Sequence, residues 1–449
     1  MNTQQEKAIK SIDMSRNTKL GLFDVLIVIM NIASARGNYL LYGLLGTSEG
    51  KWCELFVILV DIFYCVIRFK NRLSSKIFNK YFAPIFLGLF IIFYNSVNVM
   101  LINGAGNWIL FEFLIVDSLF FLILLLLLNK LSSCHIPKEA MIGQLSRGYI
   151  YISMFSFIGV LLSFGLLIAG YNLDTPIYAD YMASNVDESN AQYYRSFLTV
   201  RMETVDLRVP FFQEYGFLCG LFHEPHIFAY NVFPCLLLML AFCKTKLVRL
   251  LVFISLILVI LFAGSATNVF VALGCLIVYV LVRARRNFWG ILLLLLILTV
   301  AVYFYYKIDT TLFDFLIERS SSDHSSRQYS TSLLEFAFTP RTLTGTDCFS
   351  TTFISHGTMR EDVGWIVFLL YVSFLISYLR NVLLLLFKKE KLPFIIGISS
   401  LYFIAHSAKV GLCMFTSPLF IVFVFLQAVY LTKFKTDKGK KQLCVQNNL

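Results

Sequence analysis

Charged residues are scarce in this sequence of 449 residues. Asp, Glu, Lys and Arg make up 14% of the chain, against about 25% in an ordinary soluble domain, and hydrophobic residues make up 58%. This composition excludes a soluble enzyme, a disordered scaffold and a secreted disulfide module. Apolar runs of nearly membrane-spanning length recur from end to end, which predicts a polytopic membrane protein.

Closely paired cysteines are also missing. The ten cysteines are scattered, and no two of them form a CxxC pair. Most lie within apolar runs, where cysteine serves as a small apolar packing residue. The sequence therefore predicts neither a disulfide framework nor a metal site, and no cofactor is expected.

The apolar runs predict an all-α polytopic membrane protein with about twelve transmembrane helices and two large extracytoplasmic loops. The predicted spans are 20–44, 53–69, 82–103, 108–128, 149–170, 217–242, 248–263, 266–282, 288–306, 363–385, 393–409 and 412–431. The chain is thereby divided into an N-terminal tail (1–19), helices 1–5 (20–170), loop one (171–216), helices 6–9 (217–306), loop two (307–362), helices 10–12 (363–431) and a C-terminal tail (432–449). The first apolar run is too long for a signal peptide and lacks a clear cleavage site, so we expect it to stay as an anchor.

The distribution of positive charge predicts the orientation of the chain. Most of the 38 lysines and arginines lie in the two tails and in every second connection, as the positive-inside rule requires. Both termini of the multi-pass protein are therefore predicted to be cytoplasmic. The net charge of +11 is then a signal of topology, and no nucleic-acid partner is expected.

The two predicted outer loops are acidic and contain arginine as their basic residue. Segments 171–216 and 308–362 hold no lysine. Their arginines are Arg195, Arg201, Arg208, Arg319, Arg327, Arg341 and Arg360. Arginine keeps its charge when it is partly desolvated and offers a rigid fork of donors to phosphate oxygens, so these residues are candidates to hold a lipid pyrophosphate. The alternative is that they pair with the acids of the loops.

The densest cluster of candidate residues lies where loop one meets the sixth predicted span. Glu224 directly precedes Pro225, and His223 and His226 flank this pair. Pro225 fits the first turn of a helix, which places Glu224 at the positive end of the helix dipole. An acid and two histidines at a membrane boundary can move protons. The alternative is a capping acid with two interfacial aromatic residues.

A second cluster closes loop two. His356, Arg360, Glu361 and Asp362 stand just before an apolar helix, whose N-terminus favours anions. The alternative is a charged helix cap with Trp365 as an anchor at the membrane interface.

These segments resemble the bacterial O-antigen and exopolysaccharide polymerases. The sequence GLFHEPHIFA (220–229) is similar to the Gly-x-Phe-x-Glu-Pro-x-x-x-Ala signature of that family. FAGSATNVFVAL (262–273) resembles its small-residue hairpin, and SHGTMREDVGWIVFLLYVSFLI (355–376) resembles the His-containing end of its later outer loop. Arg341 and Gly357 match an arginine-x15-glycine spacing of the family, whereas no arginine of loop one does.

The resemblance covers roughly residues 200–385 and the general layout, and it implies a metal-independent integral-membrane glycosyltransferase of GT-C-like architecture. Such an enzyme joins oligosaccharide units carried on undecaprenyl pyrophosphate, for O-antigen in lipopolysaccharide, capsule or exopolysaccharide. A chain-length regulator and a flippase are the further partners it suggests.

This chemistry gives the candidate residues their expected roles. Arg201, Arg208 and Arg341 are expected to bind the pyrophosphate, and His356 or Glu224 is expected to act as a base or orienting acid. The other substrate-binding candidates are Arg195, His223, His226, Arg360 and Glu361. The tyrosines expected along the sugar path are Tyr193, Tyr194 and Tyr215.

Two other functions remain open from the sequence. An O-antigen ligase would use the same donor and similar chemistry. A transporter, such as a flippase of lipid-linked sugar, would use ionisable residues inside its spans, for which Asp61, Glu112, Asp117 and His406 are candidates. An internal repeat would support a transporter, and the two halves of the sequence show none.

Overall fold

Helices occur where the apolar runs predict them. The structure, a computed structural model, describes residues 20–34, 47–68, 79–103, 108–133, 136–171, 173–176, 191–204, 214–222, 225–264, 266–284, 364–410 and 417–432. Its helices are α1 (Leu22–Ser34), α2 (Thr47–Arg68), α3 (Ala83–Asn103), α4 (Trp108–Ser133), α5 (Lys138–Leu145), α6 (Arg147–Ile168), α7 (Pro225–Phe242), α8 (Lys246–Ala263), α9 (Ala266–Ala284), α10 (Gly364–Leu386), α11 (Lys391–Val410) and α12 (Pro418–Leu431). A short 3-10 turn, Lys80–Phe82, precedes α3. Every predicted span except 288–306 overlaps one of these helices, and 288–306 lies outside the described residues.

Several helices have the length and composition needed to cross a membrane. Within the described ranges, five helices (α4, α6, α7, α8 and α10) contain a sufficiently long and apolar segment. Shorter apolar helices or segments occur at Leu22–Ser34, Lys80–Tyr94, Lys391–Ala405 and Pro418–Leu431. The chain is therefore a mostly helical protein with several helices that can span a membrane.

Apolar side chains cover much of the outside of the bundle, as expected for helices that face lipid. On α8 the exposed side chains include Leu247, Leu250, Leu251, Phe253, Ile254 and Ile257. The same helix buries Val252, Leu256 and Val259 against its neighbours. Large contiguous apolar surface of this kind is unusual for a soluble monomer. It gives lipid tails a surface of matching polarity.

The core of the bundle is built around α12. This helix is apolar on every side, and all its residues from Pro418 to Val429 are buried, as expected for a helix surrounded by other helices. Phe403 of α11 packs against Phe420 and Phe423 of α12, with ring centroids 5.7 and 5.0 Å apart. Tyr149 of α6 meets Phe423 edge to face at 5.5 Å. These rings join three helices into one core.

Polar contacts near the helix ends show that the helices alternate in direction. One set joins ends that are all predicted to be cytoplasmic: Asp24 with Arg68 and Lys130, Asn79 with Thr432, Lys138 with the carbonyl of Tyr430, Asn381 with the carbonyl of Tyr81, and Lys391 with the carbonyl of Leu240. The first turns of α7 and α9 meet at the opposite end, through Asn268 and His226. Ala284, at the end of α9, and Gly364, at the start of α10, therefore lie at opposite ends of the bundle.

The expectation of an all-α fold needs correction within loop one. Residues there form a four-stranded antiparallel sheet in the order β1 (Asp174–Pro176), β2 (Ala191–Ser196), β3 (Thr199–Thr204) and β4 (Phe217–Leu218). β2 and β3 form a tight hairpin that pairs Ser196 with Thr199. β4 occupies the first residues of the predicted span 217–242, so the sixth helix begins only at Pro225. The proline, which has no N–H to donate, stands where a helix needs none.

Candidate functional site

The sheet packs along the second half of α6, and serines of that helix supply its missing hydrogen-bond partners. The hydroxyl of Ser163 donates to the carbonyl of Ser196 at 2.8 Å and accepts from the N–H of Leu198 at 3.4 Å. Two turns earlier, the hydroxyl of Ser156 accepts from the N–H of Leu221 at 3.0 Å. Non-helical backbone can lie beside a membrane-spanning helix only if protein groups satisfy it in this way. The loop is thus built into the side of the bundle.

Glycine permits the close approach of α6 and the sheet. A Cβ atom at Gly159 would lie 2.8 Å from the carbonyl oxygen of Leu198, at the tip of the β2–β3 hairpin. Phe197, the other residue of the tip, has a φ of 53°, in the left-handed region that side chains rarely adopt. Leu198 of the turn therefore packs against a helix surface that has no side chain at the point of contact, while the strained Phe197 beside it is exposed.

The GLFHEP segment bends the chain from the sheet into α7. Gly220 has a φ of 61°, and a Cβ atom there would lie 2.3 Å from Oγ of Ser156 and 2.7 Å from the ring of Phe228. Its carbonyl accepts from the N–H of Val200 at 2.8 Å, which extends the pairing of β3 beyond β4. Only glycine fits this combination of backbone angle and space. Phe222 and Pro225, which flank the candidates His223 and Glu224, are both buried.

Arg201 lies at the centre of the sheet and is buried among acidic and aromatic partners. Its Nη2 atom is 2.7 Å from Oδ2 of Asp174 on β1 and also contacts the carboxylate of Glu203. Nη1 donates to the carbonyl of Tyr215 at 3.3 Å. The guanidinium carbon lies 5.5 Å from the ring centroid of Tyr194, its direct partner on β2. Arg201 thus makes the ion pairs that the alternative interpretation expects, and binding to pyrophosphate would require phosphate oxygens to replace these carboxylates.

Arg195 faces away from this cluster. It is exposed and pairs with Val200, whereas its neighbour Tyr194 pairs with Arg201. Adjacent residues of a strand point to opposite faces, so the side chains of Arg195 and Arg201 are not brought together. No ion pair to Arg195 occurs within the described ranges. Its guanidinium is therefore the more accessible of the two to an anionic ligand.

The predicted tyrosines are held at the edge of the bundle. The ring of Tyr215 packs edge to face on Phe164 of α6, with centroids 5.4 Å apart. A hydrogen bond with the carboxylate of Glu214 raises the pKa of the Tyr215 hydroxyl, because it favours the protonated form. Tyr193 is half-buried on β2.

Two segments of the chain that resemble polymerase motifs meet in the structure. His226 lies in the first turn of α7, and its carbonyl accepts a hydrogen bond from Nδ2 of Asn268, 42 residues away, at 3.4 Å. Asn268 is fully buried in the first turn of α9, just after the hairpin in which Gly264 caps α8 in the left-handed conformation. Its Oδ1 atom accepts from the hydroxyl of Tyr402 on α11 at 3.3 Å. α7, α9 and α11 are therefore tied together where the first motif enters the bundle.

Most of the predicted site residues lie outside the described residues. These are His356, Glu224, Arg341, Arg208, His223, Arg360 and Glu361. Of the third motif, only the part from Gly364 onward, which forms α10, is described. The expected roles of these residues stay predictions. Within the described part of the chain, no cluster of three or more His, Cys, Asp or Glu residues with the arrangement of a metal site occurs.

A cavity of about 520 Å³ lies at the other end of the bundle. Its lining includes Gly143, Arg147, Met239, Phe242 and Lys244, where α5 and α6 meet the connection from α7 to α8. This end of α6 is about 24 Å from Ser163, at 1.5 Å per residue. The cavity is therefore separate from the sheet.

Comparison with known proteins identifies no relative. No protein-family model matches the sequence, no curated protein matches it, and no solved structure matches the fold.

Proposed function

We propose that this protein is a membrane polysaccharide polymerase that joins undecaprenyl-pyrophosphate-linked oligosaccharide units at the outer face of the bacterial inner membrane. The observation that carries the proposal is the contact between His226 and Asn268. It brings together the GLFHEPHIFA and FAGSATNVFVAL segments, which resemble separate motifs of such polymerases. Beside this contact, a sheet rich in arginine and tyrosine packs into the helical bundle. The GT-C-like architecture and the twelve spans belong to the proposal.

The proposed reaction is a glycosyl transfer without a metal ion. A sugar hydroxyl of one lipid-linked unit attacks the anomeric carbon of the growing chain. The bond between that carbon and the pyrophosphate oxygen breaks, and undecaprenyl pyrophosphate leaves with the electron pair. The hydroxyl proton passes to His356 or Glu224. Arginine side chains, with Arg341 as the main candidate, stabilise the negative charge that develops on the pyrophosphate.

The location of the sheet suits a substrate that is half lipid and half sugar. It packs along the second half of α6, so a ligand bound beside it can keep its hydrocarbon chain in the membrane and its saccharide outside. Arg195 on β2 is exposed and can offer its guanidinium to the pyrophosphate of such a ligand. A helix N-terminus adds a favourable interaction with an anion. Hydrogen bonds to Ser163 and Ser156 anchor the sheet and the residues that follow β4 to α6.

The proposal is tested by the length of the polysaccharide in a strain that lacks the gene and carries it on a plasmid. Arg341→Ala and His356→Ala should leave insertion and protein abundance intact while the product stops at one repeat unit. Lys388→Ala, at the opposite end of the bundle, is the matched control and should restore full-length polymer. Long polymer from both site variants would contradict the proposal.

The same strain separates the two alternatives. If single lipid-linked units accumulate on the cytoplasmic face in the deletion strain, the protein is a flippase. If long polymer forms but stays on its lipid carrier, it is a ligase. The transporter alternative has one structural feature in its favour, since Glu54, Asp61 and Asp117 are acids buried inside apolar helices.

A further inference from the structure

One face of α2 carries ionisable side chains into the interior of the bundle. Glu54, Asp61 and Arg68 recur at intervals of seven residues, or about two helical turns, so they share one side of the helix. Glu54 and Asp61 are 3% and 1% exposed. The outer side of the same helix exposes apolar residues such as Phe56 and Phe63. An acidic side chain hidden in an apolar helix is costly unless it has a partner.

The end of this face forms a closed ion cluster. Asp24 of α1 accepts hydrogen bonds from Nη2 of Arg68 and from the hydroxyl of Tyr64, both at 2.7 Å. It is also ion-paired with Lys130 of α4 and accepts from the N–H of Gly21 at 2.7 Å. The nearby cations are thus already engaged by the Asp24 carboxylate.

Within the described residues, Asp61 has no such counterion. Its Oδ1 atom accepts from Nδ2 of Asn31 on α1 at 2.9 Å, and the same Nδ2 also donates to the carbonyl of Ile27 at 2.9 Å. Arg68 is two turns away, which is about 10 Å along the helix. Among the described residues, the other ionisable groups on this part of α2 are Glu54, Tyr64 and Cys65, and α4, which packs against α2, carries Asp117.

Two oxygen atoms at this contact lack a hydrogen-bond donor. They are Oδ2 of Asp61 and Oδ1 of Asn31, both buried and without a partner within the described ranges. Both donors of the Asn31 amide are engaged, so neither can serve them. The contact therefore has two acceptors without a donor and a carboxylate charge without a counterion. A positively charged donor would satisfy both.

We propose that Asp61 and Asn31 form a proton-binding site in the interior of the helical bundle. A proton on Oδ2 of Asp61 neutralises the carboxylate and supplies the donor that the pair lacks. A metal cation fits less well, because hard cations require about six oxygen ligands and this contact offers two. Glu54 on α2 and Asp117 on α4 are each about 20 Å from the ion cluster, counted from Arg68 and Lys130 along their helices. They thus lie at a common depth, about 10 Å beyond Asp61.

The proposal is tested by infrared spectroscopy of the purified full-length protein in lipid vesicles. The wild type should show the carbonyl band of a protonated carboxyl group at neutral pH, well above about pH 4, where an ordinary aspartate ionises. Asp61→Asn, which has the shape and neutrality of the protonated acid, should lose this band. Asp24→Asn is the matched control and should keep it, because Asp24 is equally buried but ion-paired. A band that survives in Asp61→Asn overturns the proposal.

Two further measurements test the proposal: the infrared band of the Asn31→Ala variant and the effect of sodium on unfolding. Asn31→Ala removes the amide partner and should shift the frequency of the band without abolishing it. If this variant leaves the band unchanged, the pair is not the site. Unfolding is then followed in sodium and choline salts at equal ionic strength. Stabilisation by sodium that disappears in Asp61→Asn would identify a cation site and overturn the proton assignment. None of these measurements depends on polymerase activity.

Discussion

Asn268 donates a hydrogen bond to the main-chain carbonyl of His226 and accepts one from the hydroxyl of Tyr402, so a single buried amide joins the starts of α7 and α9 to α11. The carbonyl of His226 belongs to the first turn of a helix, and its position fixes the direction in which the chain leaves the GLFHEP segment. Through this amide, two helices that are distant in sequence contact the first turn of α7. Asn268 is therefore a positioning residue for the proposed site.

The first prediction concerns Asn268→Ala. Loss of the amide removes the hydrogen bonds that it makes with the carbonyl of His226 and the hydroxyl of Tyr402, which should lower the free energy of unfolding by about 1–3 kcal/mol. We also expect shorter polysaccharide at unchanged protein abundance, because the first turn of α7 is released. Gel analysis of polymer length, normalised to the amount of protein in the membrane, measures the effect.

Asn381→Ala is the matched control for this variant. Asn381 is also fully buried, and its amide also donates to a main-chain carbonyl, that of Tyr81, at 2.9 Å. It lies at the opposite end of the bundle. The control should lose comparable stability and keep the wild-type polymer length. Equal shortening in both variants would show that polymer length follows stability alone.

The second prediction concerns Gly220→Ala. The positive φ alone costs about 1–3 kcal/mol for a residue with a side chain, and the added methyl group would collide with Ser156 and Phe228. We expect a marked fall in the midpoint of thermal unfolding in detergent. Gly165→Ala on α6 is the control, since no atom lies within 4 Å of its Cβ position. It should be neutral or stabilising by up to about 1 kcal/mol, and a Gly220 variant as stable as this control would refute the described bend.

The helices and the sheet differ in how well the sequence predicts them. A membrane-spanning helix needs about twenty apolar residues in a row, and such runs are visible without any knowledge of neighbours. The strands are two to six residues long, and the β2–β3 turn, Phe197–Leu198, contains neither glycine nor asparagine to signal a hairpin. The sequence of α6 does carry a sign of this packing: Ser156, Gly159 and Ser163 form a face of small residues, and the sheet region contacts this face.

The buried polar contacts between helices could not be predicted from the sequence for a similar reason. Asp61 stands out in an apolar run, but its partner Asn31 is 30 residues away on another helix and has no distinguishing neighbour. The motif around Glu224 is recognisable, and Pro225 begins the helix as predicted. That Asn268 would reach His226 depends on the packing of α7 against α9, which no local pattern encodes.

The third prediction separates the two interpretations of Arg201. Arg201→Met alone removes the ion pair between the guanidinium and the buried carboxylate of Asp174, and breaking a buried ion pair should cost about 3–5 kcal/mol. The double variant Arg201→Met with Asp174→Leu removes both charges and should recover most of this loss, because an apolar pair of similar volume often replaces a buried ion pair without penalty. Thermal unfolding of the purified variants measures both steps.

Polymer length in the double variant then decides the role of Arg201. If full-length polymer returns together with stability, Arg201 only holds the sheet together. If stability returns and the product stays at one unit, the guanidinium also binds substrate. Arg195→Ala, at an exposed position, should change stability by less than about 0.5 kcal/mol. Any shortening that it causes would identify a direct contact with the substrate.

The last prediction tests the alternation of the helices and the side on which the sheet lies. Lys244, after α7, and Lys388, after α10, are exposed at one end of the bundle, and Tyr171, after α6, is exposed at the other. Single cysteines at these positions, in a background whose native cysteines are replaced by alanine or serine, are treated with a membrane-impermeant thiol reagent. Tyr171→Cys should react in intact cells, whereas Lys244→Cys and Lys388→Cys should react only after lysis. Reaction of all three from one side would contradict the helix directions described here, and the reversed pattern would place the sheet in the cytoplasm, where the proposed polymerisation does not occur.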